Sequence, residues 1–226
     1  KGEWRNDSMW GRGVYTFRNG DSYEGEWREG KRENGEGLYK SVRGDVYKGQ
    51  WKNDKKNGKG THIYPNGDVY EGQWVSGSIE GEGVYTSANG DVYKGTFKNN
   101  MRDGRGILQT IGGDVYEGEW QNDQKNGHGV YKTRKGDIYD GEWWNNVKQG
   151  QGRFRYIDGD TYEGEWRNDK KDGYGTYRSA NGDVYEGEWR EGKKEGKGTY
   201  IYANQDIYEG NYINGKKDGI GSYIYA

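Results

Sequence analysis

The sequence predicts an all-β protein: an elongated single-layer, twisted antiparallel β-meander, a solenoid-like ribbon of about ten stacked hairpins. Three observations carry that expectation. A tyrosine returns at Tyr23, Tyr47, Tyr70, Tyr93, Tyr116, Tyr139, Tyr162, Tyr185 and Tyr208, one step of 24 residues followed by seven of 23. Self-similarity at a fixed period of about 20 to 50 residues marks a repeat architecture. Around each tyrosine the residues alternate as in Asp68-Val69-Tyr70-Glu71-Gly72-Gln73-Trp74. The two-residue period of a strand puts Tyr70, Gly72 and Trp74 on one face and Val69, Glu71 and Gln73 on the other. Third, a Gly-x-Gly pair begins at Gly11, Gly35, Gly58, Gly81, Gly104, Gly127, Gly150, Gly173, Gly196 and Gly219. The chain therefore reads as one array over residues 1–226, with a partial repeat at 1–20 and full repeats beginning near 21, 45, 68, 91, 114, 137, 160, 183 and 206.

Composition narrows what such an array can be. Of 226 residues, 29% are hydrophobic and 32% charged, too lean for an ordinary two-layer core. Tyr (22) and Trp (10) outnumber Phe (3), so most of the large apolar surface carries a polar handle suited to a half-wet, one-sided core. The 35 basic and 37 acidic residues are interleaved to a net charge of −2, which leaves no basic footprint for nucleic acid. Zero cysteines remove disulfides and thiolate metal ligands, in keeping with a reducing compartment. No apolar run reaches the roughly 18 residues of a membrane span, nor is there a signal-peptide apolar region.

Within one repeat, an antiparallel hairpin pairs Tyr70 with Tyr85, Gly72 with Gly83 and Trp74 with Gly81, leaving Ser76-Gly77-Ser78-Ile79 as a four-residue polar loop. In that register bare glycine backbone lies opposite the tryptophan, whose ring it can accommodate on a sheet without a second layer. Between repeats, Tyr85 pairs with Tyr93, Gly83 with Gly95 and Gly81 with Phe97, and Ala88-Asn89-Gly90 forms a three-residue loop with Gly90 available for a left-handed conformation. Both connections are short, so all strands join one meander of about twenty strands. The 24-residue first step is read as a longer hairpin loop at residues 28–34. Phe97 and Tyr212 stand in for the tryptophan, Leu108 for the strand-end tyrosine, and Gln205 for the glycine of the second turn.

Tyr-Glu-Gly-Glu-Trp, a polar turn, Gly-x-Gly-x-Tyr and Asn-Gly-Asp at this period resemble the MORN (membrane occupation and recognition nexus) repeat family over essentially the whole chain. The resemblance implies a twisted ribbon with an aromatic-lined groove. It also implies a non-enzymatic scaffold or adaptor, cytoplasmic and associated with cytoskeleton, cilium or cell cortex.

The groove residues expected to bind a helical or extended protein segment are Tyr23, Trp27, Tyr47, Trp51, Tyr70, Trp74, Tyr85, Tyr93, Phe97, Tyr116, Trp120, Tyr131, Tyr139, Trp143, Tyr162, Trp166, Tyr177, Tyr185, Trp189 and Tyr200. Each ring also serves the fold itself. The strand-end rings Tyr85, Tyr131, Tyr177 and Tyr200 are expected to make the contacts.

Other readings attach to other residues. Lys55, Lys56, Lys170, Lys171, Lys193, Lys194, Lys216 and Lys217 fall in the expected turns along one edge and could hold phospholipid or phosphoinositide headgroups, although acidic neighbours dilute their field. Tyr212, Tyr223 and Tyr225 mark a C-terminal edge for a homodimer, an end-to-end arrangement that the resemblance also suggests. Aromatic hairpin repeats are used elsewhere to bind carbohydrate or choline, a third alternative. Catalytic, cofactor and metal sites are not expected: His62 and His128, the only histidines, lie in different repeats and read as surface residues. The Gly-x-Gly pairs lack the third glycine and following helix of a nucleotide site.

Overall fold

The computed structural model describes residues 1–33 and 35–226, which form twenty-one strands and no helix. The strands belong to one open antiparallel sheet. The chain makes two compact units, Lys1–Ile111 with Gln121–Asp123, and Gly112–Trp120 with Gln124–Ala226.

A hairpin of the first unit shows how sequence sets geometry. Strands Val69–Val75 and Ser78–Thr86 pair Tyr70 with Tyr85 and Gly72 with Gly83, as expected. A bulge then intervenes, so that Trp74 faces Ile79 rather than Gly81, and Val75 faces Ser78. The connection is thus two residues, not four. Ser76 and Gly77 both have positive φ, 51° and 95°, the signature of a type I′ turn whose twist matches that of the strands. Asn53-Asp54, Asn99-Asn100 and Asn168-Asp169 do the same elsewhere, with residue types that tolerate the left-handed region.

In nine of the ten Gly-x-Gly pairs, all but the one beginning at Gly35, the first glycine has positive φ and absorbs the bulge. Gly81 (φ 71°) and Gly173 (φ 105°) are left-handed there, a conformation that costs other residues about 1–2 kcal/mol. The acidic or amide residue before the motif tryptophan caps the same bulge. Gln50 Oε1 accepts the Lys59 N–H at 3.0 Å, and Glu165 Oε1 accepts the Tyr174 N–H at 2.8 Å. Motif positions that read as generic polar alternation are therefore backbone caps.

Successive hairpins join in the expected register, with Tyr85 opposite Tyr93, Gly83 opposite Gly95 and Gly81 opposite Phe97. The Ser87 N–H donates to the Asp91 carbonyl at 2.9 Å, and Gly90 takes φ 96°. Gln205 sits at the same turn position with φ 73°. Gln205→Gly is expected to raise stability by about 1 kcal/mol, read as a higher denaturation midpoint; a lower one would show that the Gln205 side chain compensates for its backbone.

The inserted residue of the first step does not lengthen a turn. Glu29 and Gly30 make the usual two-residue connection, and the strand is interrupted after Arg32, between strands Lys31–Arg32 and Gly35–Lys40. Hence twenty-one strands rather than twenty. The remainder of the expected 28–34 loop includes Asn34, which lies outside the described residues.

The core is one face of the sheet. Each motif tyrosine lies over the two glycines beside it: a Cβ built on Gly175 would fall 2.4 Å from the Tyr162 hydroxyl. That hydroxyl donates to the Glu165 carbonyl at 2.9 Å, and the Trp166 indole N–H donates to the Gly152 carbonyl at 3.0 Å. The glycine seat thus belongs to the tyrosine of the same hairpin. The rings then interlock edge to face: Tyr139–Trp166, Tyr162–Trp166 and Tyr162–Trp189 have centroids 5.2, 5.3 and 5.3 Å apart. Such pairs contribute roughly 0.5–1.5 kcal/mol each beyond the area they bury.

Candidate functional site: the aromatic face and its cations

The expected groove residues separate into two tiers. Motif rings from Tyr23 and Trp27 to Tyr185 and Trp189, with Phe97 in the tryptophan place, are all buried, none more than 7% exposed. They form the floor. Above it stand the strand-end rings Tyr85, Tyr131, Tyr177 and Tyr200, which are half-buried and present surface to solvent. Each is tied to the aspartate that opens the preceding motif: Tyr85 donates to Asp68 at 2.5 Å, Tyr131 to Asp114 at 2.6 Å, Tyr200 to Asp183 at 2.8 Å, and Tyr177 to Asp160. The other carboxylate oxygen takes a turn N–H, as Asp160 does from Ala180 at 2.8 Å. The tyrosine hydroxyl and that N–H together hold the Asp160 carboxyl below the usual range. The outer rings are fixed in place by these bonds.

His62 occupies one of these strand-end positions and is buried, not on the surface. Its Nε2 lies 3.2 Å from Asp45 and its Nδ1 3.2 Å from the Lys56 ammonium. Burial, then the adjacent Lys56 charge, push its pKa down. His128 is exposed as expected and lies 3.0 Å from Asp140.

The lysine pairs do not sit together in the turns. Because the connection is only two residues, both lysines lie on a strand, and alternation sends them to opposite faces. Lys55, Lys170, Lys193 and Lys216 are exposed; Lys170 pairs with Glu191 and Lys193 with Asn214. Lys56, Lys171 and Lys194 instead fold back onto the rings, directly across from Trp51, Trp166 and Trp189. The Lys171 ammonium lies 4.4 Å from the Tyr177 centroid, 4.8 Å from Trp189 and 5.0 Å from Tyr162. Its pKa is pushed down to about 8 by burial. Lys217 reaches Tyr208 at 4.0 Å but remains exposed. A continuous lysine edge for headgroups is therefore not what the fold builds.

This cationic position was missed in the sequence, where its residues read as turn. In the first unit it holds Arg32, Lys56, Ile79 and Arg102 in successive hairpins, and in the second Lys125, Lys148, Lys171, Lys194 and Lys217. Arg32 pairs with Asp54 at 3.1 Å and Arg102 with Asp123 at 3.0 Å. Their counterparts Lys171 and Lys194 meet turns whose second residue is Gly192 or Gly215, which offers no carboxylate.

The face also has a hollow in the first unit. Phe97 and Leu108 are smaller than the residues they replace, and with Tyr85, Tyr93 and Arg102 they line a cavity of about 450 Å³. The expected dimer-edge residues divide as well. Tyr212 is buried between Tyr185 and Tyr208, with its hydroxyl unpartnered, whereas Tyr223 and Tyr225 are exposed.

An open sheet of like hairpins with one aromatic face defines a β-hairpin repeat protein. The MORN repeat pattern matches ten consecutive stretches, residues 1–22, 23–46, 47–69, 70–92, 93–115, 116–138, 139–161, 162–184, 185–207 and 208–226. The chain belongs to the MORN repeat family. No curated protein matches it in sequence. Among solved structures it is similar to the wild-type TCP10 domain of Danio rerio CPAP, with 13% identity over 94% of this chain and 99% of that one and a TM-score of 0.52. The same domain in complex with a peptide of Danio rerio STIL gives 14% identity, 94% and 93% coverage and a TM-score of 0.55. At these identities the likeness is one of fold.

Proposed function

We propose that the chain is a non-enzymatic scaffold or adaptor that binds a helical or extended protein segment along its aromatic face, within a cytoskeletal, ciliary or cortical assembly. The observation that carries this reading is the outer tier of rings. A single-layer sheet cannot cover its own aromatic side, so Tyr85, Tyr131, Tyr177 and Tyr200 stay half-exposed, yet their aspartate bonds hold them rigid. Rigid, partly exposed aromatics lose little entropy on binding and are favoured at interfaces. The CPAP domain of similar fold, seen with a STIL peptide, is consistent with a protein segment as ligand.

The test begins with a pull-down on the intact chain and identification of a directly binding segment. Tyr131→Ala with Tyr177→Ala is expected to weaken that segment's binding about tenfold or more while β-type circular dichroism is retained. Undiminished binding by the folded double variant overturns the reading. So does capture that survives only as an indirect association.

A further inference from the structure

We propose that the row Lys148, Lys171 and Lys194 in the second unit receives the carboxylates of an extended acidic segment in polyproline II conformation, one carboxylate every third residue. This rests on the proposed function and specifies the chemistry and backbone of its ligand.

Charge comes first. The ammonium groups of Lys148, Lys171 and Lys194 lie among rings, with nearest described centroids at 4.9, 4.4 and 4.4 Å. None of the three ammonium groups has a described hydrogen-bond acceptor or salt bridge. Cation–π contact satisfies charge but not the three N–H donors of an ammonium. In the first unit the equivalent cations are already answered: Arg32 by Asp54, Arg102 by Asp123 and Lys56 by His62. Burial pushes the pKa of Lys148, Lys171 and Lys194 down, the mark of ammonium ions short of solvation. A carboxylate laid on the rings beside them supplies the missing acceptor in a half-dry setting, where such a bond is about twice as strong as a neutral one. The acids acting on these lysines are engaged elsewhere: Asp160 beside Lys171 by Tyr177 and Ala180, Asp183 beside Lys194 by Tyr200 and Ala203, and, beside Lys148, Asp169 by the Lys148 backbone N–H and Asp137 by the Ile157 N–H.

Spacing selects the backbone. Consecutive lysines of the row are two strands apart, about 9.6 Å at the usual strand separation. A polyproline II chain repeats every three residues at about 9.3 Å, so each third side chain meets the next lysine with a drift of only about 0.3 Å per step. An α-helix advances 9.6 Å in about 6.4 residues, which rotates its contacting side chain off the face unless it supercoils. A β-strand presents same-face side chains at about 6.8 Å and falls out of step at once. Aromatic walls such as Tyr156, Tyr177, Tyr200 and Tyr202 also suit proline rings, and that chain conformation loses little entropy on binding. A membrane surface fits less well. The exposed Lys170 and Lys193 lie on the opposite face from Lys171 and Lys194, so a flat headgroup layer cannot engage both sets together.

The intact chain is titrated with labelled peptides of about five Glu-Pro-Pro triplets, with the Lys-Pro-Pro counterpart and with an acidic amphipathic heptad helix, read by fluorescence anisotropy. The Glu-Pro-Pro peptide is expected to bind, and the combined Lys148→Gln, Lys171→Gln, Lys194→Gln variant to lose about tenfold or more, whereas Arg at all three positions retains binding. Circular dichroism of both variants confirms that they fold. Should the Gln variant not fold, single Lys171→Gln, with an expected loss of about threefold, decides the matter. Binding of the Lys-Pro-Pro peptide, or of Glu-Pro-Pro with no dependence on the lysines, overturns the inference. Preference for the heptad helix, or binding of no peptide, overturns it while leaving the aromatic face to the pull-down test, whereas binding only to phosphoinositide vesicles titrated alongside overturns both.

Discussion

Replacing Gly175 with alanine is expected to cost about 3–5 kcal/mol of stability, although alanine ordinarily improves on glycine in a strand. The reason is the position of the motif tyrosine. A Cβ on Gly175 would stand 2.4 Å from the Tyr162 hydroxyl and 2.6 Å from its Cζ. The ring has no room to yield, because Trp166 and Trp189 flank it at centroid distances of 5.3 Å. It must leave its seat, giving up both edge-to-face contacts and the bond to the Glu165 carbonyl. The loss falls on two hairpins, since stability in a repeat array is largely a sum of nearest-neighbour terms. A double-mutant cycle separates this account from a general intolerance of the strand. In a Tyr162→Ala background, itself destabilised by several kcal/mol, the further change Gly175→Ala should be neutral or stabilising. Chemical denaturation of the four proteins gives the coupling; additive costs would show that the glycine is needed for its backbone and not as a seat for the ring.

That seat was half legible in the sequence. The fixed step between tyrosines and the parity of Tyr, Gly and Trp predicted which strands pair and which residues share a face, because a two-residue period leaves little freedom once both turns are short. The bulge was not legible from alternation. It shifts the pairing by two positions, so Trp74 meets Ile79 and the expected four-residue loop shrinks to Ser76-Gly77. The available signal was turn chemistry: Asn53-Asp54, Asn168-Asp169 and Glu191-Gly192 fall at the same place in every repeat, and such dipeptides favour paired positive φ. Applying that rule would have put Lys171 on the face of Trp166, and the cationic row would have followed. His62 was misplaced for a different reason. It has the wrong chemistry for a strand-end ring but nearly the right shape, and Asp45 accepts it as other aspartates accept tyrosine. The split of the expected groove into a closed floor and an open tier needed side-chain packing, since Tyr162 and Tyr177 share a face, but Tyr162 lies over Gly164 and Gly175 while Tyr177 reaches out to Asp160.

The alkaline limit of the fold should lie well above pH 10 and should be reached in one step. Burial pushes the hydroxyls of Tyr23 and Tyr70 up to about 12 and shifts Tyr47, Tyr93, Tyr116, Tyr139, Tyr162 and Tyr185 upward as well. A tyrosine in the unfolded chain ionises near 10. Between that value and the folded one the native state binds more protons, so the stability these groups lend is complete below pH 10 and drains away as pH rises through the folded values. Lys56 and Lys171 act in the opposite sense. Their folded pKa of about 8 lies below the unfolded value near 10.4, so the unfolded chain binds more protons over that interval and stability rises with pH across it. The denaturation midpoint is therefore expected to climb modestly from pH 7 to about 9.5 and then fall steeply. Tyrosinate absorbance followed through the same range should appear together with loss of β-type circular dichroism, because a buried hydroxyl bonded to a backbone carbonyl cannot ionise in place. The Lys171→Gln protein should lose part of the rise and keep the fall, which assigns the two limbs to different groups. Gradual ionisation of most tyrosines near pH 10 with the fold intact would mean that the rings over the glycines are open to solvent, and the floor of the aromatic face would have to be redrawn.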